Sequence, residues 1–338
     1  MDEIDLRTMK RCRSVVHDRI ERFARRSKNR SIVIAVSAGG DSVALAHLLA
    51  ELAEPLQLRL SIGHFSHGDD DDDRADAVFV SELASSLGIE VDFGRRNVAR
   101  PTQSEDDARR ARLSWLGEIA QARSAGWAAL GHTLDDQAET VLHRIMRGSG
   151  LTGLGGIPPV RRITQSVVLI RPLLALTRDD LRGYLRAIGG SYRDDPTNTD
   201  VSRTRARIRH ELLPTLKDSF NPRIAASLAR LADSARASRR DQERALAPIL
   251  ESAVVLICGS EIVLMRSKIV AETPARRAEL FRMAWRKAGW GEKHMNAERW
   301  KRLARFARSG NPRRFSVGRG VEATIESDAI RLLKKNIE

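Results

Sequence analysis

The stretch SIVIAVSAGGDS, Ser31 to Ser42, leaves this chain few folds to choose from. Ser31, Ile32, Val33, Ile34, Ala35 and Val36 read as a buried strand, and Val43, Ala44, Leu45, Leu48 and Leu49 continue as a helix. A strand that turns through small residues into a helix N-terminus makes an anion site, because free backbone N–H groups and the positive end of the helix dipole meet at one spot. Gly39 and Gly40 let the backbone approach a phosphate, and Ser37 and Ser42 add hydroxyl donors. No Gly-Lys-Ser/Thr follows, so this is not a Walker loop. Asp41 would repel a phosphate unless a cation bridged the two, which points to Mg²⁺ at Asp41. The same residues also read as an ordinary strand-to-helix turn with Asp41 or Ser42 as N-cap.

The rest of the chain alternates in the same way. A helix is expected over 6–27, strands at 31–36, 58–64, 89–94, 127–131 and 166–170, and helices at 42–53, 74–87, 104–125 and 135–146. That alternation predicts an α/β fold, a parallel sheet with helices on both faces. Ligands of such sheets bind beyond the carboxyl ends of the strands, where the 37–42 turn, Gly63–Gly68 and Gly131–Asp136 all fall. Residues 147–165, rich in Gly and Pro, read as a long loop. Thr177 caps a short helix stopped by Gly189 and Gly190, and a helix bearing Arg203, Arg205, Arg207 and Arg209 ends near Pro214. A long helix over 220–250, a hairpin at 253–265, helices at 273–288 and 295–308 and a strand-rich tail make a mostly helical α+β C-terminal domain. The boundary is placed near 217, giving domains 1–217 and 218–338.

Charge separates the same two regions. The 338 residues carry a net +14, yet residues 201–338 hold 30 Lys/Arg against 15 Asp/Glu, and residues 1–200 are nearly balanced. A basic surface confined to one region suits a polyanionic partner larger than a nucleotide, with nucleic acid the expectation. No apolar run approaches a membrane span, and the charged N-terminal segment has no apolar signal core, so no membrane association and a cytoplasmic location are expected. Cys12 and Cys258 form no Cys-x-x-Cys pair and no zinc set.

Three further segments carry chemistry. In GHTLDDQAET (131–140), Asp135 and Glu139 share a helix face, and Asp136 lies beside them. Clustered carboxylates at a strand end can hold Mg²⁺, orient an amine or act as a base, and Thr133 with Asp136 also reads as a capping box. Arg109 and Arg112 stand three apart on one helix face, fit to neutralise phosphate charge or to pair with Glu105 and Asp106. His67 with Gly68 follows the second strand.

In their order, these segments resemble the PP-loop ATP-pyrophosphatases and, within them, the tRNA(Ile)-lysidine synthases. The Ser-Gly-Gly-x-Asp-Ser loop matches Ser37, Gly39, Asp41 and Ser42. His67-Gly68, Ala108-Arg109-x-x-Arg112, the complete His132, Asp135, Asp136, Glu139, Thr140 motif, Arg147-Gly148-x-Gly150, IRPLL (170–174) and the Asp195, Asn198, Arg205, Ile208, Arg209 stretch follow in family order. Three positions depart: Ala38 stands where the loop has its first Gly, Asp69–Asp73 follows His67-Gly68, and Ala206 replaces an Asn.

The resemblance implies ATP and Mg²⁺ as cofactors, and free L-lysine and an isoleucine tRNA with a CAU anticodon as partners. It also leads us to expect a homodimer. In the implied reaction the wobble cytosine is adenylated with release of pyrophosphate, and the lysine ε-amine then displaces AMP. Ser37, Ala38, Gly39, Gly40, Asp41, Ser42 and His67 would hold ATP. Asp41, Arg109, Arg112, Asp135, Asp136 and Glu139 would be catalytic. Arg205, Arg207, Arg209, Lys301, Arg302 and Arg305 would bind tRNA, with Trp300 and Arg308 on the same helix. The alternatives are a tRNA 2-thiolation enzyme, disfavoured because neither cysteine accompanies the pocket motifs, and a non-catalytic RNA-binding protein on a degenerate nucleotide fold.

Overall fold

The computed structural model describes residues 3–25, 27, 29–66, 68, 71–95, 105–193, 204–292, 295–309, 314–318 and 320–335. The chain divides into two compact units, Met1–Arg147 with Gly156–Leu231, and Gly148–Gly155 with Ala232–Glu338.

The first unit is built on a six-stranded sheet: β1 (Ser31–Ala35), β2 (Arg59–Ser66), β3 (Glu90–Arg95), β4 (Trp127–Ala129), β5 (Val160–Arg162) and β6 (Val168–Ile170). Their order is β3-β2-β1-β4-β6-β5, parallel throughout except for the edge strand β5, which runs antiparallel to β6. Alternation along the strands sorts the core into two layers. Ile32, Ile34, Trp127, Ala129 and Ile170 pack with α1 (Glu3–Ala24), α2 (Gly40–Glu51), α3 (Asp71–Leu87) and α7 (Arg178–Ile188). Val33, Ala128 and Leu169 face the other way, against Leu116 and Ala120 of α4 (Glu105–Ala122). The sheet is therefore covered on both faces, as the alternation of elements predicted.

The strand order puts a switch between β1 and β4. From β1 the chain winds outward through β2 and β3, then returns to lay β4 on the other side of β1. The connections leaving β1 and β4 diverge there and open a crevice at the carboxyl ends of the strands. After β4 comes α5 (Leu134–Met146).

Two sequence expectations need correction. Residues 147–165 are not one long loop, because they hold the short helix α6 (Leu151–Leu154) and β5, which pairs with β6 over Val160–Arg162. The arginine-bearing helix does not stop at Pro214. After α8 (Thr204–Arg207) and a π-helical stretch over Ile208–Leu212, the helical run continues as α9 (Leu213–Ser219), with Pro214 directly after the π-helical turn, a break in the i→i−4 ladder at which a missing N–H is accommodated. Thr177 does cap α7, accepting from the Asp180 amide, and Gly189 ends that helix at φ 67°.

The second unit contains most of α10 (Ile224–Ala253), then α11 (Arg266–Val270), α12 (Pro274–Lys287), α13 (Ala297–Ser309) and an antiparallel sheet. That sheet orders β7 (Val254–Ile257), β8 (Glu261–Met265), β11 (Ala329–Lys334), β10 (Val321–Glu326) and β9 (Arg314–Gly318). Its core centres on Trp285, whose ring stands edge-on to Trp290 at 4.8 Å and to Trp300 at 5.4 Å.

Candidate active site

The loop after β1 is braced from within. The Ser42 hydroxyl donates to the Gly39 carbonyl at 2.8 Å and accepts from the Ser37 amide at 3.1 Å. Ser42 is buried, whereas Ser37 is exposed. Ala38 is fully buried and adopts φ 62°, a left-handed conformation that costs a residue with a Cβ about 1–2 kcal/mol. The family's glycine at this position would adopt it freely. The Ala38 carbonyl accepts from the Arg193 amide at 3.1 Å, and Arg193 is itself held by Asp76 at 2.6 Å and Asp72 at 3.6 Å.

That contact gives part of the acidic run its place. Asp71, Asp72 and Asp73 open α3, where the helix dipole favours negative charge. Asp71 pairs with Arg74, Asp72 with Arg193, and Asp73 accepts from the Gly68 amide. His67, Asp69, Asp70, Asp195, Asn198 and Arg203 lie outside the described residues.

The β4 connection closes against the loop. A Cβ added at Gly131 would sit 3.1 Å from the Asp41 carbonyl and the Ser42 amide, so glycine permits the approach. Two residues on, Thr133 caps α5 and forms the expected capping box with Asp136. This start of α5 brings Asp41, Asp135, Asp136 and Glu139 into one electrostatic cluster.

An arginine that the sequence reading passed over organises the cluster. Arg178, the first residue of α7, lies 3.5 Å from Asp41, 2.5 Å from Asp136 and 3.0 Å from Glu139, and its amide donates at 2.8 Å to Asp135. Arg205 and Arg209 also turn onto Glu139, at 3.2 Å and 2.8 Å. Glu139 has no solvent exposure, so its charge is held by three guanidinium groups. Arg207 points elsewhere and pairs with Glu211 at 3.3 Å.

Charge and burial perturb the cluster unequally. Burial raises the Asp41 pKa to about 6, with Asp136 and Asp135 adding to the rise and Arg178 opposing it. Asp136 is moved the other way: burial would raise its pKa, but Arg178, His132 and the Thr133 amide together outweigh burial and hold it below the usual value. His132 is driven well below the ordinary imidazole range, first by burial and then by Arg171, Arg109 and Arg112. Arg109 and Arg112 thus lie within electrostatic reach of the same crevice, Arg109 exposed and Arg112 half-buried on α4. Sequence reasoning also missed Arg171, which donates to His132. The signals available for these arginines were the IRPLL segment and the basic residue after the Thr177 cap.

The described residues contain no set of three or more side chains that could hold a metal ion by themselves. A single carboxylate beside a phosphate cradle still suits Mg²⁺, which keeps most of its waters and takes one or two carboxylates plus phosphate oxygens.

In the second unit, α13 presents Lys301, Arg302, Arg305 and Arg308 outward. Arg305 pairs with Glu298 at 2.5 Å, and the Arg302 guanidinium lies 5.2 Å from the Phe315 ring centre. Trp300 does not join them. It is 2% exposed and carries Arg282 on its ring, so its role is in the core. Cys12 is buried and Cys258 exposed, both free thiols. Among the described residues no helix is long and apolar enough to cross a membrane.

Comparison with known proteins agrees with this architecture. The PP-loop domain profile matches residues 12–216. A tRNA(Ile)-lysidine synthase of Symbiobacterium thermophilum is 42% identical over 234 residues, covering 68% of this chain and 47% of the relative. One from Nostoc sp. is 35% identical over 235 residues, covering 70% and 68%. The chain spans about half the length of several of the curated relatives it matches, 47% and 45% of the Symbiobacterium and Solibacter usitatus proteins. The U34-tRNA thiolase NcsA from Methanococcus maripaludis superposes with TM-score 0.54 at 16% identity, over 67% of this chain and 79% of that one, a likeness of fold alone. The chain belongs to the PP-loop family and, within it, to the tRNA(Ile)-lysidine synthases.

Proposed function

We propose that this protein ligates lysine to the wobble cytidine of an isoleucine tRNA with a CAU anticodon, at the expense of ATP. The observation that carries the reading is the junction of the β1 loop with the β4 connection. There a phosphate-type cradle meets carboxylates and guanidinium groups gathered around Arg178 and Glu139. Adenylation needs a cradle for the leaving pyrophosphate, a cation on the phosphates and positive charge for the developing oxyanions. Ser37, Gly39 and Gly40 suit the first need, Mg²⁺ on Asp41 the second, and Arg109 with Arg112 the third. In the second step the ε-ammonium must be held and must lose a proton. Asp135 and Asp136 are assigned to that task. Glu139, already shared by three arginines, is assigned to ordering Arg178, Arg205 and Arg209.

The tRNA is expected to engage the basic C-terminal region, with Lys301, Arg302, Arg305 and Arg308 as phosphate contacts. A single-stranded anticodon loop lets the target base reach the crevice at low cost. Residues 1–217 would then do the chemistry and residues 218–338 would grip the substrate, in a cytoplasmic and dimeric enzyme. Labelled pyrophosphate should exchange into ATP only when the tRNA transcript is present. Asp41→Ala should abolish the exchange while tRNA binding persists; full exchange by that variant would remove Asp41 from the mechanism.

A further inference from the structure

Arg171 follows β6 directly, and His132 lies just beyond β4. The two strands are adjacent and parallel, with Ala129 paired to Ile170, so the residues leaving them emerge side by side. Arg171 is 1% exposed. Its Nε donates to His132 Nδ1 at 3.2 Å, and its Nη1 donates to the Pro158 carbonyl at 2.6 Å. Its own amide is fixed on the Pro159 carbonyl at 3.0 Å. Among the described residues no carboxylate pairs with this guanidinium. A buried cation resting on two neutral acceptors is an expensive arrangement.

We infer that Arg171 is a positioning residue that locks His132 in the neutral tautomer with its proton on Nε2, so that His132 offers the crevice a hydrogen-bond donor and not a base. The chemistry allows little else. A guanidinium has N–H donors and no acceptor, so the nitrogen facing it must carry a lone pair. Protonating the ring would set two donors against each other beside Arg109 and Arg112, with burial and these cations opposing the charge that Asp136 favours. The remaining proton therefore sits on Nε2, which no described residue engages. His132 is half-buried at the mouth of the β4 connection, where the proposed phosphates would lie. The phosphate-facing part of this inference rests on the proposed function; the tautomer does not.

The test is a two-bond ¹H–¹⁵N correlation spectrum of the full-length, histidine-labelled protein at pH 7.5, with His132 assigned by its absence in His132→Gln. We expect Nδ1 at a lone-pair shift and Nε2 at an N–H shift. Arg171→Met should move His132 toward a mixture of tautomers. A proton on Nδ1 in the wild type, or an unchanged ring in a folded Arg171→Met, overturns the inference. Because removal of a buried arginine can unfold the protein, a second arm uses His132 itself. Glutamine places an amide nitrogen near the Nε2 position and asparagine near Nδ1. MgATP should bind His132→Gln at least about fivefold more tightly than His132→Asn, the scale of one hydrogen bond to a charged group. Equal losses in both variants overturn the donor role. A wild type that binds no MgATP overturns the functional reading, and the ring spectrum still decides the tautomer.

Discussion

Arg178 Nη1 donates at 3.0 Å to Oε1 of Glu139, a carboxylate closed off from solvent, and the same guanidinium reaches Asp136 at 2.5 Å. With its 3.5 Å approach to Asp41, one residue at the start of α7 joins the helix that follows β4 to the first turn of α2. Buried charge networks of this kind hold only while every member is paired.

Removing the carboxylate should therefore cost more than a surface ion pair. Glu139→Ala leaves Arg178, Arg205 and Arg209 without their shared partner and is expected to destabilise the first unit by about 3–5 kcal/mol. Urea unfolding compared with wild type measures the loss. A change below about 1 kcal/mol would mean that the arginines find other acceptors or water.

Asp41 should have the opposite effect on stability. Its folded pKa of about 6 stands above the ordinary carboxylate value of 3.8, so the native state binds more protons than the unfolded state between those limits. The contribution of this group is present below about pH 4 and is lost as pH rises through about 6. Above that pH the ionised Asp41 is a burden on the metal-free protein. Asp41→Asn is expected to raise the stability of that protein at pH 7.5 by on the order of 2 kcal/mol, with the gain fading toward pH 4. Unfolding curves at the two pH values check both sign and trend.

Ala38 tests the strained turn. A β-branched side chain at φ 62° is a severe steric outlier, and Ala38 is fully buried. Ala38→Val should destabilise by about 2 kcal/mol or more and weaken MgATP binding along with it. Wild-type stability in that variant would show that the loop relaxes out of the left-handed conformation.

The basic face of α13 gives a prediction that leaves the fold alone. Lys301, Arg302, Arg305 and Arg308 are exposed, so alanine there should change thermal stability little. Each side chain that contacts a phosphate should lower the slope of log affinity against log salt by about 1 when removed. An unaltered slope in the quadruple variant would move the tRNA contact to another surface.

Much of this architecture was legible in the residues. The Ile32–Ile34 run, the Ser/Gly turn and the helix beyond it were specified locally, because buried strands and helix starts carry their own periodicity and caps. Thr177 and Thr133 announced α7 and α5 in the same way. What stayed hidden was long-range. Nothing in the neighbourhood of Arg178 shows that α7 will dock its first residue on Asp136 and Glu139. Nothing near Arg205 and Arg209 shows that they turn inward onto Glu139 rather than outward to a ligand. β5 was masked by the glycines and prolines around it, since an edge strand of three residues draws its stability from pairing with β6. Trp300 read as a surface aromatic among basic residues, and only the packing of Trp285 and Arg282 around it reveals a core position.

Lysine transfer to the wobble cytidine can be assayed directly. Labelled lysine is incubated with the protein, ATP, Mg²⁺ and a transcript of the isoleucine tRNA with a CAU anticodon, beside a transcript whose wobble C is changed to U. Lysine should be incorporated into the first transcript and not the second, with AMP and pyrophosphate formed in step. A folded protein that binds the first transcript and MgATP but transfers no lysine would contradict it.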